Sequence, residues 1–395
     1  MIKITQLINY FFYLIVAATM SEGAATRLAF IDSFATARGN AFTATASNPS
    51  AVFYNAAALT QLDGTEIQAN MFAISLGYEF ESSMGLGSQD MDDEFQAVPS
   101  FFFSHRFEDA PIAAGFGVYA PFALKSDWGI NAPFSQLDPR VPFYADLQYV
   151  KYHGVVAWQI TENISIAAGI SFDDTDVDIR APALRLEGDD QLIGYSISLL
   201  WKPHQEHSFG LNYQGATEAS YNGKTSITGV GDFDSAADLV LPESIVFGYA
   251  FTPNENWSFE FNLDWTNWDK VNDLTIEGLP DFLGPAPSYI LNWKSAYIWE
   301  FGVSRFFENG WYLSGGYTHV ENAIPEETLL PIVPDSNRDF FAVGVGREHR
   351  NVSWQLTYQY AHADDRSIVD NVFPTVNGDY DLDSQAVSFS IAYKF

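Results

Sequence analysis

The feature that most constrains the fold is a repeated two-residue alternation of apolar and polar side chains. Clear examples are residues 257–265, 353–360 and 387–395, in which aromatic or aliphatic residues occupy every second position. Successive side chains of a β-strand point to opposite faces, so this period predicts strands with one apolar and one polar face. A soluble β-sandwich also alternates, although its strands are usually only about five or six residues long. The connections between strands must therefore distinguish the two architectures.

The connections between the alternating segments are of two lengths. Short polar turns lie at residues 108–110, 161–163, 203–207, 253–256, 308–310 and 350–351. Longer loops lie near residues 81–94, 122–143, 181–190, 222–238, 270–292, 322–338 and 366–380. Short turns at one end and long loops at the other are typical of transmembrane β-barrels. Each turn joins two strands, and one further strand lies at each end of the chain. The pattern predicts an all-β transmembrane barrel of about 14 antiparallel strands.

The composition agrees with a barrel in lipid and excludes several classes of function. The 33 Phe, 20 Tyr and 10 Trp residues are many for an acidic soluble protein. Several tryptophans lie beside turns or loops, where the aromatic girdles of barrels form. The formal net charge of −31 excludes a nucleic-acid binder, because such a protein must neutralise phosphates with Lys and Arg. The absence of cysteine excludes disulfides and thiolate chemistry.

The first 25 residues have the pattern of a secretory signal peptide. Lys3 gives a basic start, residues 4–18 are mostly apolar, and small residues at 23–25 suit a cleavage site. A retained N-terminal anchor is the alternative, but the apolar stretch is shorter than the roughly 20 residues that a spanning helix needs. Together with the barrel pattern, the signal peptide predicts a location in the bacterial outer membrane.

Residues 26–62 lie between the predicted signal peptide and the first predicted strand and do not alternate. They are rich in small residues, and Asn48 followed by Pro49 is a typical helix start. We therefore expect an N-terminal hatch, or plug, of short helices in the barrel lumen. The barrel itself is expected to span residues 63–395.

Several sequence motifs resemble those of the FadL/TodX family of outer-membrane transporters for long-chain fatty acids and other hydrophobic compounds. In chain order they are residues 48–59, 115–122, 241–268, 323–338 and the terminal 393–395. The resemblance implies a 14-stranded barrel closed by an N-terminal hatch. It also implies that apolar molecules are captured outside, held in an apolar pocket and released through an opening in the barrel wall.

The hatch of this chain departs from the family pattern at one place. The family has Asn-Pro-Ala where this chain has Asn55-Ala56-Ala57. Alanine does not fix the backbone angle φ as proline does, so we expect a less rigid hatch. Asn48, Pro49 and Asn55 are the candidate hatch or gate residues.

Two of the long loops are unusually apolar for extracellular segments. Their candidate ligand-binding residues are Phe122, Leu124, Trp128, Phe134 and Leu137 in the first loop, and Phe282, Leu283 and Ile290 in the second. Loops of a polar-solute porin need no such side chains, so the pattern predicts a hydrophobic capture groove. The alternative is that these side chains only pack the loops against each other.

A fatty-acid cargo would also need a partner for its carboxylate. Strand parity places Lys151 and Lys294 on the lumen face, where a cation can pair with a carboxylate. Glu260, Asp264 and Glu300 have the same parity and are alternative partners for these lysines. The sequence therefore leaves open whether the lysines bind cargo or belong to internal ion pairs.

No motif indicates an enzyme, a cofactor or a metal site. His204 and His207 lie in a turn without a third ligand. Ser104 and His105 are adjacent on a predicted strand and point to opposite faces, which disfavours a lipid hydrolase. The roles of the acidic loops, solvated surface or cation-bridged contact with lipopolysaccharide, stay open.

The sequence thus predicts a passive outer-membrane channel for hydrophobic compounds, with long-chain fatty acids as the first-choice cargo. Aromatic or alkane hydrocarbons are the alternative cargo, and a polar-solute porin is the less favoured alternative function. The expected partners are the hydrophobic cargo, outer-membrane lipid and lipopolysaccharide. Phe395 ends the last predicted strand and is expected to be read by the barrel assembly machinery.

Overall fold

A computed structural model describes residues 25–92 and 95–395 of the chain. The predicted signal peptide lies outside the described residues except for Ala25. The helices are α1 (Ser33–Ala37), α2 (Ala51–Tyr54) and α3 (Pro133–Leu137), with 3₁₀ helices at Ala56–Gln61, Trp268–Lys270, Asp281–Leu283, Glu326–Thr328 and Pro374–Val376. None of the helices in the described residues is long and apolar enough to cross a membrane.

The strands occupy most of the chain after residue 64. They are β1 (Thr65–Ser82), β2 (Ser88–Asp90), β3 (Gln96–Arg106), β4 (Ile112–Tyr119), β5 (Leu124–Asp127), β6 (Tyr144–Thr161), β7 (Ile164–Arg180), β8 (Leu184–His204), β9 (His207–Gln214), β10 (Thr217–Ile227), β11 (Gly231–Leu241), β12 (Ser244–Asn254), β13 (Trp257–Thr266), β14 (Asp273–Glu277), β15 (Ser288–Ile290), β16 (Ala296–Phe306), β17 (Trp311–Val320), β18 (Arg338–His349), β19 (Val352–Ala363), β20 (Arg366–Ile368) and β21 (Gly378–Lys394).

Fourteen of these strands close into one antiparallel barrel, which confirms the predicted fold class. The order around the wall is β1, β3, β4, β6, β7, β8, β9, β12, β13, β16, β17, β18, β19 and β21. The ring closes where β21 pairs with β1, from Glu66 opposite Lys394 to Ser82 opposite Gly378. Closure satisfies the backbone hydrogen bonds of the first and last strands, which lipid cannot do.

Strand β13 shows how the alternating sequence is used. Trp257 and Phe259 are exposed on the outside of the barrel, whereas Ser258, Glu260 and Asn262 are buried inside. Lipid tails cover the first set, and the second set forms hydrogen bonds within the lumen. The wall is therefore apolar outside and polar inside, the reverse of a soluble protein.

The predicted short turns are confirmed, but two of the predicted long loops are wrong. Residues 181–190 are mostly strand, since β8 already begins at Leu184. Residues 222–238 lie in the β10–β11 hairpin, which turns at 228–230 and pairs partly with the upper end of β8. Residues 222–226 and 232–236 of the hairpin carry mostly small or polar side chains, so the alternation by which a strand is recognised is weak there.

Residues 25–62, the N-terminal segment, precede β1 and are almost entirely buried. The helix α2 begins at Ala51, two residues after the start at Pro49 that the sequence predicts, and Ser50 before it makes no side-chain cap. The Asn48 side chain instead accepts hydrogen bonds from the Ser50 backbone N–H at 2.9 Å and hydroxyl at 2.6 Å. This local turn delays the start of the helix by two residues.

Candidate functional site

The N-terminal segment packs directly on the backbone of the barrel wall. Seven inward-facing glycines make this close approach possible, because a Cβ at any of them would meet a residue of the segment: Gly115, Gly117, Gly210, Gly248, Gly302, Gly316 and Gly344. The tightest contact is at Gly316, where an added Cβ would lie 2.0 Å from the Gly39 backbone nitrogen. Real Cβ atoms do not approach another atom so closely. Only glycine at this position therefore lets the segment lie so near the wall.

Ion pairs and hydrogen bonds also join the N-terminal segment to the wall. Arg27 contacts Asp264, and Arg38 lies 3.5 Å from Glu260. Glu260 also accepts a hydrogen bond from the Ala44 backbone N–H at 2.6 Å. Within the segment, burial raises the pKa of Asp32, although the Ala35 backbone N–H and the Gln68 and Asn48 side chains partly oppose this effect. The segment is thus held by polar contacts that water does not reach.

Asn55 forms the hydrogen bonds expected of a fixed corner of the N-terminal segment. Its side chain donates to the backbone oxygens of Thr43 at 2.8 Å and Leu199 at 3.0 Å, and accepts from the Ala57 N–H at 3.1 Å. Leu199 belongs to β8, so one side chain ties the segment both to itself and to the wall. Alanine at position 56 does not prevent this arrangement.

The wall is interrupted between β4 and β5, at residues 120–123. The β3–β4 ladder ends with Phe101 opposite Val118, and β5 pairs with β6 alone. The N-terminal segment partly covers this break: Leu28 N–H donates to the Pro121 oxygen at 2.8 Å, and Ala123 N–H donates to the Thr26 oxygen at 2.9 Å. The break therefore lies directly against the N-terminal segment, and residues 120–123 are all buried.

The apolar loop residues divide into a buried and an exposed group. Phe122, Leu124, Trp128 and Phe134 are buried, and the rings of Trp128 and Phe134 lie 5.8 Å apart. Leu137, Phe282 and Ile290 are exposed, by 49%, 74% and 52%, and Leu283 is half-buried. The first group packs the loops over the lumen, and the second gives the extracellular face its apolar side chains.

The two candidate lysines lie in different places. Lys151 is buried inside the barrel, 3.1 Å from Asp173. Lys294 is exposed, so the prediction that it faces the lumen is wrong. The strand β16 begins only at Ala296, and Asn292 just before it has a φ of 46°. Strand parity cannot be carried across such an irregular segment, which is why the sequence misplaced Lys294.

Acids outnumber bases in the buried interior. Within the described residues, the buried Lys and Arg side chains are Arg27, Arg38, Lys151 and Arg338, and the buried acids are Asp32, Asp173, Glu260, Asp264, Glu300 and Asp335. Each of the four bases has a carboxylate within 3.5 Å. No buried lysine or arginine in the described part of the chain is thus available to a carboxylate cargo without first leaving an internal partner.

Two tryptophans that the sequence reasoning missed lie beside the wall break. Trp268 and Trp293 are buried with ring centroids 5.1 Å apart, and Phe122 from the break lies 6.3 Å from Trp268. Tyr149 completes the group at 5.6 Å from Phe122. Trp293 lies just before β16, where nothing in the sequence distinguishes an inward from an outward ring.

Comparison with known proteins identifies the family to which this chain belongs. The model of the family described as outer membrane protein transport protein (OMPP1/FadL/TodX) matches residues 14–395. The chain belongs to the FadL/TodX family. It is therefore an outer-membrane protein of a transport family for hydrophobic compounds, as the sequence motifs predicted.

Individual relatives of this FadL/TodX chain are distant in sequence. It is 19% identical over 251 residues to the long-chain fatty acid transport protein of Escherichia coli O6:H1, in an alignment covering 57% of this chain and about half (53%) of that protein. The crystal structure of a Pseudomonas aeruginosa FadL homologue has a TM-score of 0.84 at 16% identity, covering 94% of this chain and 100% of that one. The Pseudomonas putida toluene transporter TodX has a TM-score of 0.71 at 14% identity, covering 95% and 99%. The structural matches show a shared fold.

Proposed function

We propose that the protein takes up hydrophobic compounds passively and releases them sideways into the outer membrane. The cargo first meets the exposed apolar side chains Leu137, Phe282 and Ile290 at the extracellular end. It then passes the buried aromatic residues of the loops and leaves through the wall break at 120–123. An apolar molecule gains free energy by entering lipid rather than the aqueous periplasm, so a lateral exit suits this cargo.

The observation that carries this proposal is the position of the wall break. The break lies beside the N-terminal segment, which packs on the inner glycines and acts as a hatch against passage along the barrel axis. With the axis closed, the interrupted wall is the shorter way out. Phe122, which lies in the break itself, is also one of the apolar residues predicted to contact cargo.

An uncharged cargo fits the interior better than a fatty-acid anion does. Entry of a carboxylate would bring a charge into an interior whose four buried bases already have acidic partners, and burying an unpaired charge is strongly unfavourable. We therefore propose aromatic or aliphatic hydrocarbons and their uncharged derivatives as the main cargo. A long-chain fatty acid is the second candidate, supported by the name of the Escherichia coli relative.

The proposal involves no catalytic step. His105 forms a hydrogen bond of 2.8 Å with the Thr65 hydroxyl, and Ser104 is buried on the opposite face of β3. These two side chains therefore do not form a nucleophile and base pair. Hydrolysis of phospholipid by the purified protein would contradict this part of the proposal.

A disulfide that ties the N-terminal segment to the wall break tests the lateral route. Thr26 lies opposite Ala123 in the bridge formed by Arg27 and Phe122. Because the chain has no cysteine, Thr26→Cys with Ala123→Cys introduces one defined cross-link. Uptake of radiolabelled toluene and oleate by cells would be measured with the pair oxidised and reduced. A matched control is Ser353→Cys with Ala392→Cys, which are partners in the intact wall.

We expect oxidation to suppress uptake in the pair at the break and to leave the control pair unaffected. Reduction should restore uptake. Toluene should respond more than oleate if uncharged compounds are the main cargo. Undiminished uptake of both compounds with the N-terminal segment fully cross-linked to the break would refute a lateral route past the segment.

A further inference from the structure

Trp268 and Trp293 bury indole N–H groups that have no hydrogen-bond partner. Their side chains are only 1% and 7% exposed, so water does not reach these donors. Buried polar groups in folded proteins nearly always have a partner, and each exception needs an explanation. Here two unpaired donors lie on neighbouring rings whose centroids are 5.1 Å apart.

Two other tryptophans of the chain have a hydrogen-bond acceptor for their indole N–H within the protein. The Trp128 N–H, also buried in the loops, donates to the Pro331 backbone oxygen at 2.9 Å. The Trp299 N–H, on the outside of the wall, donates to Glu321 at 3.3 Å. The unpaired donors of Trp268 and Trp293 are therefore a local property of this pair.

The pair lies on the route that we propose for the cargo. Phe122, in the wall break, is 6.3 Å from Trp268, and Tyr149 is 5.6 Å from Phe122. The Trp293 backbone N–H donates to the Val271 oxygen at 3.0 Å, which joins the two chain segments that carry the indoles. A molecule moving from the loops to the break would pass this aromatic group.

We propose that Trp268 and Trp293 form a binding site for an acceptor oxygen on an uncharged hydrophobic cargo. A ketone, ester or ether oxygen can accept from the two indole N–H groups while its hydrocarbon part packs on the rings. A carboxylate does not suit the site, because two neutral donors cannot balance a buried charge and the buried bases already have acidic partners. This inference rests on the proposed uptake function and refines its cargo class.

The test compares two probes of nearly the same shape. Acetophenone carries a carbonyl oxygen and ethylbenzene does not, and neither is charged. Binding of each to the purified full-length protein would be measured for the unmutated chain and for Trp268→Phe and Trp293→Phe. Trp299→Phe, which removes an indole from the outside of the wall, is the matched control. Heat-modifiability on gels verifies that each variant forms a barrel.

We expect each inner substitution to weaken acetophenone binding about fivefold, the effect of losing one neutral hydrogen bond, and to leave ethylbenzene nearly unchanged. Trp299→Phe should change neither. If the inner variants do not fold, indole resonances of the isotope-labelled unmutated protein give the same information. Acetophenone, but not ethylbenzene, should then shift two indole N–H signals.

Equal losses for both probes would overturn the inference and assign the two indoles to packing against each other's rings. Ethylbenzene binding without any preference for acetophenone in the unmutated chain would also overturn it, while leaving the uptake function intact. If neither probe binds, the uptake of uncharged compounds fails together with the inference.

Discussion

Replacing Gly316 with valine is expected to dislodge the N-terminal segment and open the barrel to ions. A Cβ at position 316 would lie 2.0 Å from the Gly39 nitrogen and 2.1 Å from the Arg38 carbonyl carbon. Non-bonded heavy atoms prefer separations of about 3.5–4.0 Å, so the segment must retreat by roughly 1.5 Å even before the valine methyl groups are placed. The opposing atoms are backbone and cannot rotate aside.

The energetic consequence falls on the N-terminal segment more than on the wall. Overpacking of a close contact costs about 1–3 kcal/mol. The strand that holds Gly316 is fixed by hydrogen-bonded ladders on both sides, so the N-terminal segment is the part that moves. Gly39 on the other side of this contact also has no room for a side chain, since an added Cβ would lie 2.7 Å from the Tyr317 oxygen and its φ is 57°. Displacing Arg38 also disturbs its contact with Glu260, so the loss extends beyond the first clash.

The neighbouring residue supplies the control. A Cβ at Gly315 would face the lipid and meet no atom nearer than 3.9 Å, so Gly315→Val should be tolerated. Single-channel conductance in planar bilayers would be compared for both variants after gel heat-modifiability verifies barrel formation. We expect larger or more frequent openings only for Gly316→Val. Equal conductance of the two folded variants would refute the assignment of the segment as a hatch.

Three further outcomes are expected. Lys151→Met should lower the free energy of unfolding by about 3–5 kcal/mol, because the buried Asp173 carboxylate loses its cation and, among the described residues, keeps only the hydrogen bond from the Tyr149 hydroxyl. Adding Asp173→Leu should restore stability in urea titrations, and a selective loss of oleate binding would contradict this explanation. Asn55→Ala should cost about 1–3 kcal/mol and speed amide hydrogen exchange in the N-terminal segment, whereas unchanged exchange would mean that the glycine contacts suffice. Deleting Phe395 should reduce the yield of heat-modifiable barrel while Phe395→Tyr retains it, and normal assembly of the truncated chain would disprove a role in insertion.

The barrel wall was predictable because two solvents act on every strand. Lipid outside and polar groups inside impose a period of two, and the short turns follow from polar runs such as 253–256, where β12 ends at Asn254 and β13 begins at Trp257. In the β10–β11 hairpin many inward positions are small or polar, so the period is weak. The β10–β11 hairpin was therefore predicted to be a loop.

The candidate site was less accessible from the sequence, because its contacts join residues far apart in the chain. Lys151 was placed inside by parity, but its pairing with Asp173 depends on the register of β6 with β7. The role of Gly316 depends on which part of the N-terminal segment lies against it. Strand parity groups Gly316 with Ser314 and Thr318 on the inner face, but it does not show what packs against it.

The pairing of β1 with β21 sets an order of events during biogenesis. These strands come from opposite ends of the barrel sequence, and their seam runs the full height of the wall, from Glu66 to Ser82. The N-terminal segment, translated immediately before β1, contacts residues of strands far along the chain, such as Thr357 of β19. We therefore expect the strands to assemble around the N-terminal segment before β21, the last strand to be made, pairs with β1. Contacts such as those of Ser33 with Thr357 and of Arg38 with Glu260 would then form before the barrel closes.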